Sequence, residues 1–314
     1  DMYNKSVSGP EEFTVLRVNS EIDVSVAQPV TYGNDAVITV ELNAPINATV
    51  RLIVDNKEYK VALVDGKGGF NASGLSSGLH DVKAVFAGND KYGVSEKSTT
   101  FTINKATLAA EVTGLNVTVE QNTTFVINVT DDFKGNVSIK VGDKVLYNGT
   151  VKSLIEAAKL LSGDKTATVV FYGDSNYNDK SYLVNFTVSR VDPTIDVTIA
   201  DVTYPAIASA IVTVSNGATG AIEIYLGDVL VGSGTITEGQ ATTIDLIRLA
   251  AGLNKEGTVK FITSDDYNNN ATATAEFNVI KGNTTVSIER NGTDVIAVVT
   301  PGVSGNVTFI INGE

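Results

Sequence analysis

The chain has 314 residues, a net charge of −13 and a sequence pI near 4.6, with no Cys, no Trp and a single His. The acidic balance argues against nucleic acid or an anionic membrane as partner, because both require a basic face, and its simplest role is solubility. The lack of Cys excludes a disulfide framework and the usual zinc sites, and no apolar run reaches the roughly 18 residues of a membrane-spanning helix.

One phrase recurs four times: a Tyr, then a Phe nine or ten residues later, within alternating apolar residues. The copies are Tyr3…Phe13, Tyr92…Phe101, Tyr177…Phe186 and Tyr267…Phe277, with Tyr-to-Tyr steps of 89, 85 and 90. A period this close to one small domain predicts a tandem array rather than a solenoid. The expected boundaries are 20–105, 106–190 and 191–281 for three whole domains. Residues 1–19 are expected to be the last strand of a preceding repeat, and 282–314 the first strands of an incomplete one. Asp1-Met-Tyr-Asn falls mid-repeat, so a signal and an anchor are expected outside this span.

In chain order, Glu11 to Val18 is expected to be an orphan final strand. In the first repeat a strand begins at Val50 (Val-Arg-Leu-Ile-Val) and turns at Asp55-Asn56. The Gly/Ser-rich stretch Gly66 to Gly78 precedes a strand ending at Phe86. The second repeat reads as strands over 108–112, 124–129, 137–141, 145–147, 166–171 and 182–188, with Gly142-Asp143 as a tight turn. Copies of the third of these start at Val50, Val137, Ile222 and Val307, and their first, third and fifth residues are always apolar, as for one face turned to a core. The turns that follow include Gly227-Asp228 and Asn312-Gly313. Phe86, Phe171 and Phe261 each precede the Tyr by six residues across a Gly/Asp-rich turn, with Ser264 in place of Gly in the third copy. The Tyr is expected to cover the open end of the sandwich.

Two segments depart from this pattern. Ser153 to Gly163 carries a capping box and good helix formers, and Thr242 to Gly252 is its counterpart. Each predicts a short helix, with Leu154, Ile155, Ala158 and Leu161, or Ile244, Ile247 and Ala251, facing inward. The linkers Lys105-Ala106, Arg190-Val-Asp-Pro193 and Lys281-Gly282 are short. The expected fold is therefore all-β: tandem Ig-like β-sandwich domains in an extended rod, with short helices in the second and third units.

Val169-Val-Phe-Tyr-Gly-Asp-Ser-Asn-Tyr177, followed by Phe186-Thr-Val188, resembles the bacterial Ig-like group 3 type repeats. Acidic, Cys-free, sequon-rich arrays of such repeats resemble the adhesin-like surface proteins of methanogenic archaea. The resemblance implies a non-enzymatic, extracellular stalk or fibre supporting adhesion. Its implied partners are other copies of the protein and a host or neighbouring-cell surface protein or glycan. The third copy departs most, having Gly220-Ala-Ile where the second has Gly135-Asn-Val.

Thirteen Asn-x-Ser/Thr sequons are present, at Asn4, Asn47, Asn71, Asn116, Asn122, Asn128, Asn136, Asn148, Asn185, Asn270, Asn283, Asn291 and Asn306. They predict an N-glycosylated extracellular chain, against an Asn/Thr-rich surface without glycans. No cofactor is expected. Calcium is the chemical alternative, with Asp174, Asn176, Asn178, Asp265 and Asp266 as oxygen ligands, although turn chemistry accounts for the same residues. No catalytic residues are expected: the one His, His80, reads as a solvated strand-end residue with no nucleophile motif nearby. Lys105, Asn185 and Asn278 are the residues for an intramolecular isopeptide. Tyr147, Tyr172 and Tyr225 are the aromatics for a glycan- or protein-binding module. A further alternative is a fibre subunit in which the start of one chain complements the end of another.

Overall fold

The computed structural model describes residues 2–310. Its regular structure is strand throughout. The first sandwich comprises β1 (Ile22–Val26), β2 (Val30–Thr31), β3 (Ala36–Leu42), β4 (Ala48–Val54), β5 (Lys57–Leu63), β6 (Lys67–Ala72), β7 (Gly78–Phe86) and β8 (Ser95–Asn104). The second comprises β9 (Ala106–Thr107), β10 (Ala110–Gly114), β11 (Val117–Thr118), β12 (Thr123–Val129), β13 (Asn136–Val141), β14 (Lys144–Thr150), β15 (Leu154–Ala157), β16 (Gly163–Phe171), β17 (Tyr177–Asn178) and β18 (Lys180–Ser189). The third comprises β19 (Ile195–Ile199), β20 (Val202–Thr203), β21 (Ser209–Val214), β22 (Gly220–Leu226), β23 (Val229–Ile236), β24 (Thr242–Asp245), β25 (Gly252–Thr263) and β26 (Ala271–Ile280). A hairpin of β27 (Val286–Asn291) and β28 (Asp294–Val299) follows.

Each sandwich repeats one topology. A three-stranded sheet, β1-β3-β6 in the first, faces a five-stranded sheet, β2-β8-β7-β4-β5. The second uses β10-β12-β15 and β11-β18-β16-β13-β14, and the third β19-β21-β24 and β20-β26-β25-β22-β23. The opening strand serves both sheets: β1 pairs antiparallel with β3 and, after three intervening residues, β2 pairs parallel with β8. The same division recurs at β10/β11 and β19/β20. By contact density the chain forms two compact units, Asp1–Leu115 with Thr123–Ala158 and Lys165–Phe186, and Asn116–Asn122 with Lys159–Asp164 and Thr187–Glu314.

Strict alternation builds the cores. β3 is buried at every second residue, and Val50, Leu52 and Val54 of β4 all face inward. Val137 and Ile139 of β13, and Ile222 and Ile224 of β22, repeat that face as the sequence predicts. Phe86 and Phe171 are buried at the ends of β7 and β16, and Phe261 is buried two residues before the end of β25. Asp55 and Asn56 take positive φ, 47° and 68°, as a two-residue hairpin turn requires. In the fourth copy, residues 303–310 form no strand, and Ile311 with the Asn312-Gly313 turn lies outside the described residues. Residues 11–17 likewise form no strand, and Val18 makes a single bridge to Tyr92. Neither segment has a described sheet edge along which to extend.

The two expected helices are strands. β15 pairs antiparallel with β12, placing Ile155 opposite Phe125 and Ala157 opposite Thr123. β24 pairs in the same way with β21. Both occupy the place of β6 in the first sandwich. A helix there would leave the outer N–H and C=O groups of β12 without ladder partners, and that cost outweighs a local preference of a few tenths of a kcal/mol per residue. Ser153, the expected helix cap, instead accepts a ladder hydrogen bond from the Ile127 N–H at 2.9 Å. Period-two burial replaces the helical face: Ile155 and Ala157 are buried, Leu154 is 51% and Leu161 65% exposed, and Ala158 is exposed. In the third sandwich Ile244 and Leu246 are buried, while Ile247 and Ala251 are exposed.

Replacing Phe171 by Ala removes a fully buried ring and should cost about 3–5 kcal/mol. Urea titration followed by tyrosine near-UV circular dichroism checks this, and a shift under about 1 kcal/mol would show that the ring is not a core anchor.

Candidate functional site

The densest constellation of polar side chains in the first compact unit lies where β8 gives way to β9, with Lys105 alone between them. β17 pairs parallel with β9, setting Tyr177 opposite Ala106, and the Ala106 N–H donates to the Asn176 carbonyl at 2.9 Å. Asp132 is the focus. The Tyr32 hydroxyl donates to its Oδ2 at 2.7 Å, and the Tyr177 hydroxyl lies 3.0 Å from both carboxylate oxygens. The Tyr32 and Tyr177 rings meet edge to face at 5.4 Å, and Phe133 packs edge-on against Tyr177 and Phe171. The Ser77 N–H donates to Asn176 Oδ1 at 3.0 Å, its hydroxyl donates to the Ser175 carbonyl, and Lys105 Nζ donates to the Asp174 carbonyl.

Electrostatics follow from these bonds. The Tyr32 hydroxyl holds the Asp132 carboxyl below the usual carboxylate range, with help from Thr130 and Tyr177. The same hydrogen bond, with burial and the Asp132 charge, raises Tyr32. The Thr130 bond pulls Tyr177 down, but burial and Asp132 outweigh it and raise the phenol.

Asp174 and Asp265 are equivalent turn residues. Burial pushes Asp174 up, but three backbone N–H groups, from Lys134 at 2.7 Å, Asn176 at 2.8 Å and Tyr177 at 2.9 Å, prevail and lower it. Within the second compact unit, burial likewise opposes, and the N–H groups of Thr219, Asn268 and Tyr267 hold Asp265 at about 2. In the first repeat Asn89 accepts two such bonds, from Lys91 and Tyr92. This arrangement explains the calcium candidates without metal, since both oxygens of Asp174 and of Asp265 accept from amides. Asn176 and Asn178 bond Ser77 and Lys105, and Asp266 pairs with Arg190 at 3.2 Å. Among the described residues no group of three or more His, Asp or Glu is placed to hold a metal.

The remaining candidates scatter. All thirteen sequon asparagines are exposed. Four of them, Asn47, Asn116, Asn185 and Asn270, accept a hydrogen bond through Oδ1, the atom that does not carry a glycan. Asn278 bonds the Asp201 carboxylate and Asn185 bonds Thr166, while Lys105 reaches Asp174, so the isopeptide residues are engaged elsewhere. The Tyr147 hydroxyl bonds the Thr150 carbonyl, and Tyr225 lies under Lys260 with its hydroxyl on Glu223, so the aromatics form no common platform. His80 is not solvated: it is 6% exposed and bonded at both ring nitrogens.

The Tyr reading needs one correction. Val191 bridges Asn268, not Tyr267, in the arrangement by which Ala106 meets Tyr177 and Val18 meets Tyr92. The third turn is one residue longer, because the capping Asp265 follows Phe261 by four residues where Asp174 follows Phe171 by three. Asn268 therefore takes the buried place, and Tyr267 is half-exposed with its hydroxyl on Glu120 at 3.2 Å. Asp132 gave no repeat signal, whereas Val30-Thr31-Tyr32 recurs as Val202-Thr203-Tyr204. The residue in the place of Tyr32, judged by its N–H bond to the end of the closing strand, is Val119 in the second repeat and Tyr204 in the third.

No family model matches the chain, and no curated protein matches it. Among solved structures it is similar to a tetra-tandem repeat in the extending region of a large adhesion protein, at 16% identity over 90% of this chain and 87% of the other, with a TM-score of 0.39. It is also similar to the chicken CNTN1 FN1–FN3 domains, at 12% identity over 81% of this chain and 97% of the other, with a TM-score of 0.26. The immunoglobulin domains 1–5 of Sidekick-1 match at 14% identity over 84% of this chain and 59% of the other, with a TM-score of 0.30. At these identities and scores the likeness is too slight to bear on function.

The lowered carboxyls set a pH window. A lowered folded value stabilises above the unfolded value and is lost as pH falls through the folded one, so amide protection should fall below the usual carboxylate range at Lys134 and only toward about pH 2 at Thr219. Raised phenols act oppositely: the Tyr32–Asp132 contact should hold below about pH 10 and fail above it. Hydrogen exchange checks the acid limb, with Lys91 and Tyr92, bonded to the non-titrating Asn89, as internal controls that should not respond.

Proposed function

We propose that this chain is a non-enzymatic stalk segment of an extracellular, cell-surface adhesive protein. Its domains are the three sandwiches, over 20–105, 106–190 and 191–281, in tandem, and the short linkers predict a rod. The observation that carries this reading is the first joint: a one-residue link closed by the Tyr32–Asp132–Tyr177 cluster and the Ser77–Asn176 bond. A joint of that kind transmits orientation from one sandwich to the next, which a stalk needs and a flexible linker does not supply. The exposed sequons fit glycosylated surface display, and partners would be further repeats of the same protein and a cell-surface protein or glycan. In this reading the carboxylates act as turn caps.

Small-angle scattering of the full chain should give a maximum dimension near three sandwich lengths, and a compact particle would overturn the rod. Mass spectrometry of native-source protein should find hexose-containing additions at sequon peptides, and unmodified peptides throughout would overturn the glycoprotein reading.

A second reading, strand complementation between copies, is favoured by the hairpin. Val286, Ile288, Val295, Ile296 and Val298 are all exposed, as are Phe13, Val15 and Leu16 in the unstranded segment 11–17. Sedimentation should then show concentration-dependent self-association that Ile288→Lys abolishes, and a monomer at all concentrations would remove this alternative.

A further inference from the structure

A basic side chain occupies the same place in each repeat, and in the first it is an imidazole. His80, Lys165 and Lys255 each precede by six residues the buried phenylalanine at or near the end of their strand, Phe86, Phe171 and Phe261. His80 lies opposite Phe101, as Lys255 lies opposite Phe277. Histidine is the side chain that titrates between about pH 5 and 8, whereas lysine stays charged throughout that range.

The surroundings of His80 select its charged form. Nδ1 is 2.6 Å from Asp55 Oδ2, and Nε2 is 2.8 Å from the Ser76 carbonyl oxygen. Carboxylate and carbonyl are both acceptors, so both ring nitrogens must donate, and only imidazolium carries two N–H groups. The ring stacks on Phe101 at 5.3 Å, so β8 presents it with a hydrocarbon face. The β4–β5 turn presents the Asp55 carboxylate, whose other oxygen accepts the N–H of Asp81 at 3.0 Å, and the β6–β7 loop presents only the Ser76 carbonyl. Asp81 is the neighbouring charge on His80's own strand.

The loop held at Ser76 is the loop that docks. Ser77, the next residue, makes both contacts to Ser175 and Asn176 in the second sandwich. We propose that His80 is a protonation-controlled latch on this joint. As imidazolium it ties the β4–β5 turn to the β6–β7 loop and fixes Ser77 for docking. When the proton leaves, the remaining N–H stays with the charged acceptor, Asp55, because that bond is the stronger. The Nε2 lone pair then faces the Ser76 carbonyl lone pairs, the loop is repelled, and the Ser77 contacts loosen. Lys165 and Lys255 give the later repeats no such response. The latch depends on the joint geometry and not on the adhesive reading.

The test is amide hydrogen exchange of the full chain at pH 5.5 and 8, corrected for intrinsic rates, together with ring 15N shifts of His80. Wild-type protection at Ser77 should drop at least about fivefold at the higher pH, the size expected for loss of one hydrogen bond. His80→Lys should remain protected at both pH values, and His80→Gln should be weakly protected at both. Equal wild-type protection at the two pH values, or a pH-dependent drop that persists in His80→Lys, would overturn the latch. Should either variant fail to fold, the 15N shifts decide: two N–H groups at pH 5.5 and one at pH 8 support it, and a single neutral tautomer across the range sinks it.

Discussion

Backbone pairing along exposed strand edges is the constraint on which the rest of this structure depends. A sandwich of this size has few residues to spare, and each buried N–H or C=O left open costs about 1–3 kcal/mol. The outer edge of β12 takes Leu154–Ala157 as its partner despite a sequence written in helix formers. The opening strand divides so that it edges both sheets. The start of each next repeat is taken up in turn, as Ala106 by Tyr177 and Val191 by Asn268. Joint and sandwich are therefore built by one rule, and the joint is the last rung of the ladder.

This rule separates what was legible in the sequence from what was not. Residues 50–54 and their copies announce themselves because a two-residue period with one buried face is written directly in side-chain polarity. The helices at 153–163 and 242–252 were misread because capping and propensity are local, while the edge needing a partner is some thirty residues away in sequence. Asn268 stands where the spacing predicts Tyr267 for a related reason. Spacing from Phe261 to Tyr267 matches the other repeats, yet the extra residue sits before the capping Asp265, and only the hydrogen-bond pattern shows it. Asp132 belongs to a contact between repeats, so no periodic signal points to it, and the recurrence of Tyr32 as Tyr204 marks a place in the fold without revealing the contact Tyr32 makes. His80 was read as solvated from its place at the beginning of a strand, whereas the loop before it folds back and covers it.

The acidic composition also acquires a local meaning. Asp174 and Asp265 each gather three backbone amides at the turn before the closing strand, where an uncharged Asn89 gathers two. A carboxylate offers two acceptor oxygens, so it reaches back to Lys134 or Thr219 in the loop preceding the central strand while still capping its own turn. The charge is thus spent partly on tying neighbouring loops together, and the net charge of −13 reflects turn chemistry as well as solubility.

Repeats that share a core diverge at these turns, and that is where their mechanical character is set. The first turn carries neutral Asn89, and the adjoining loop is pinned by His80, whose two ring nitrogens face the Asp55 carboxylate and the Ser76 carbonyl. The second turn has instead Asp174 and an aromatic floor of Phe133, Phe171 and Tyr177. The third loses two of those rings, with Ala218 following Asn216-Gly217 where Phe133 follows Asp131-Asp132, and Asn268 in the place of Tyr177. Its Asn268 amide nitrogen faces Asp265 and the Asn216 carbonyl, so polar contacts stand where rings pack in the second repeat. Apolar edge-to-face packing is insensitive to pH and salt, whereas carboxylate and imidazolium bonds respond to both. Joints made on one backbone plan can therefore respond differently to the same change in the surroundings, with no alteration of the sandwiches themselves.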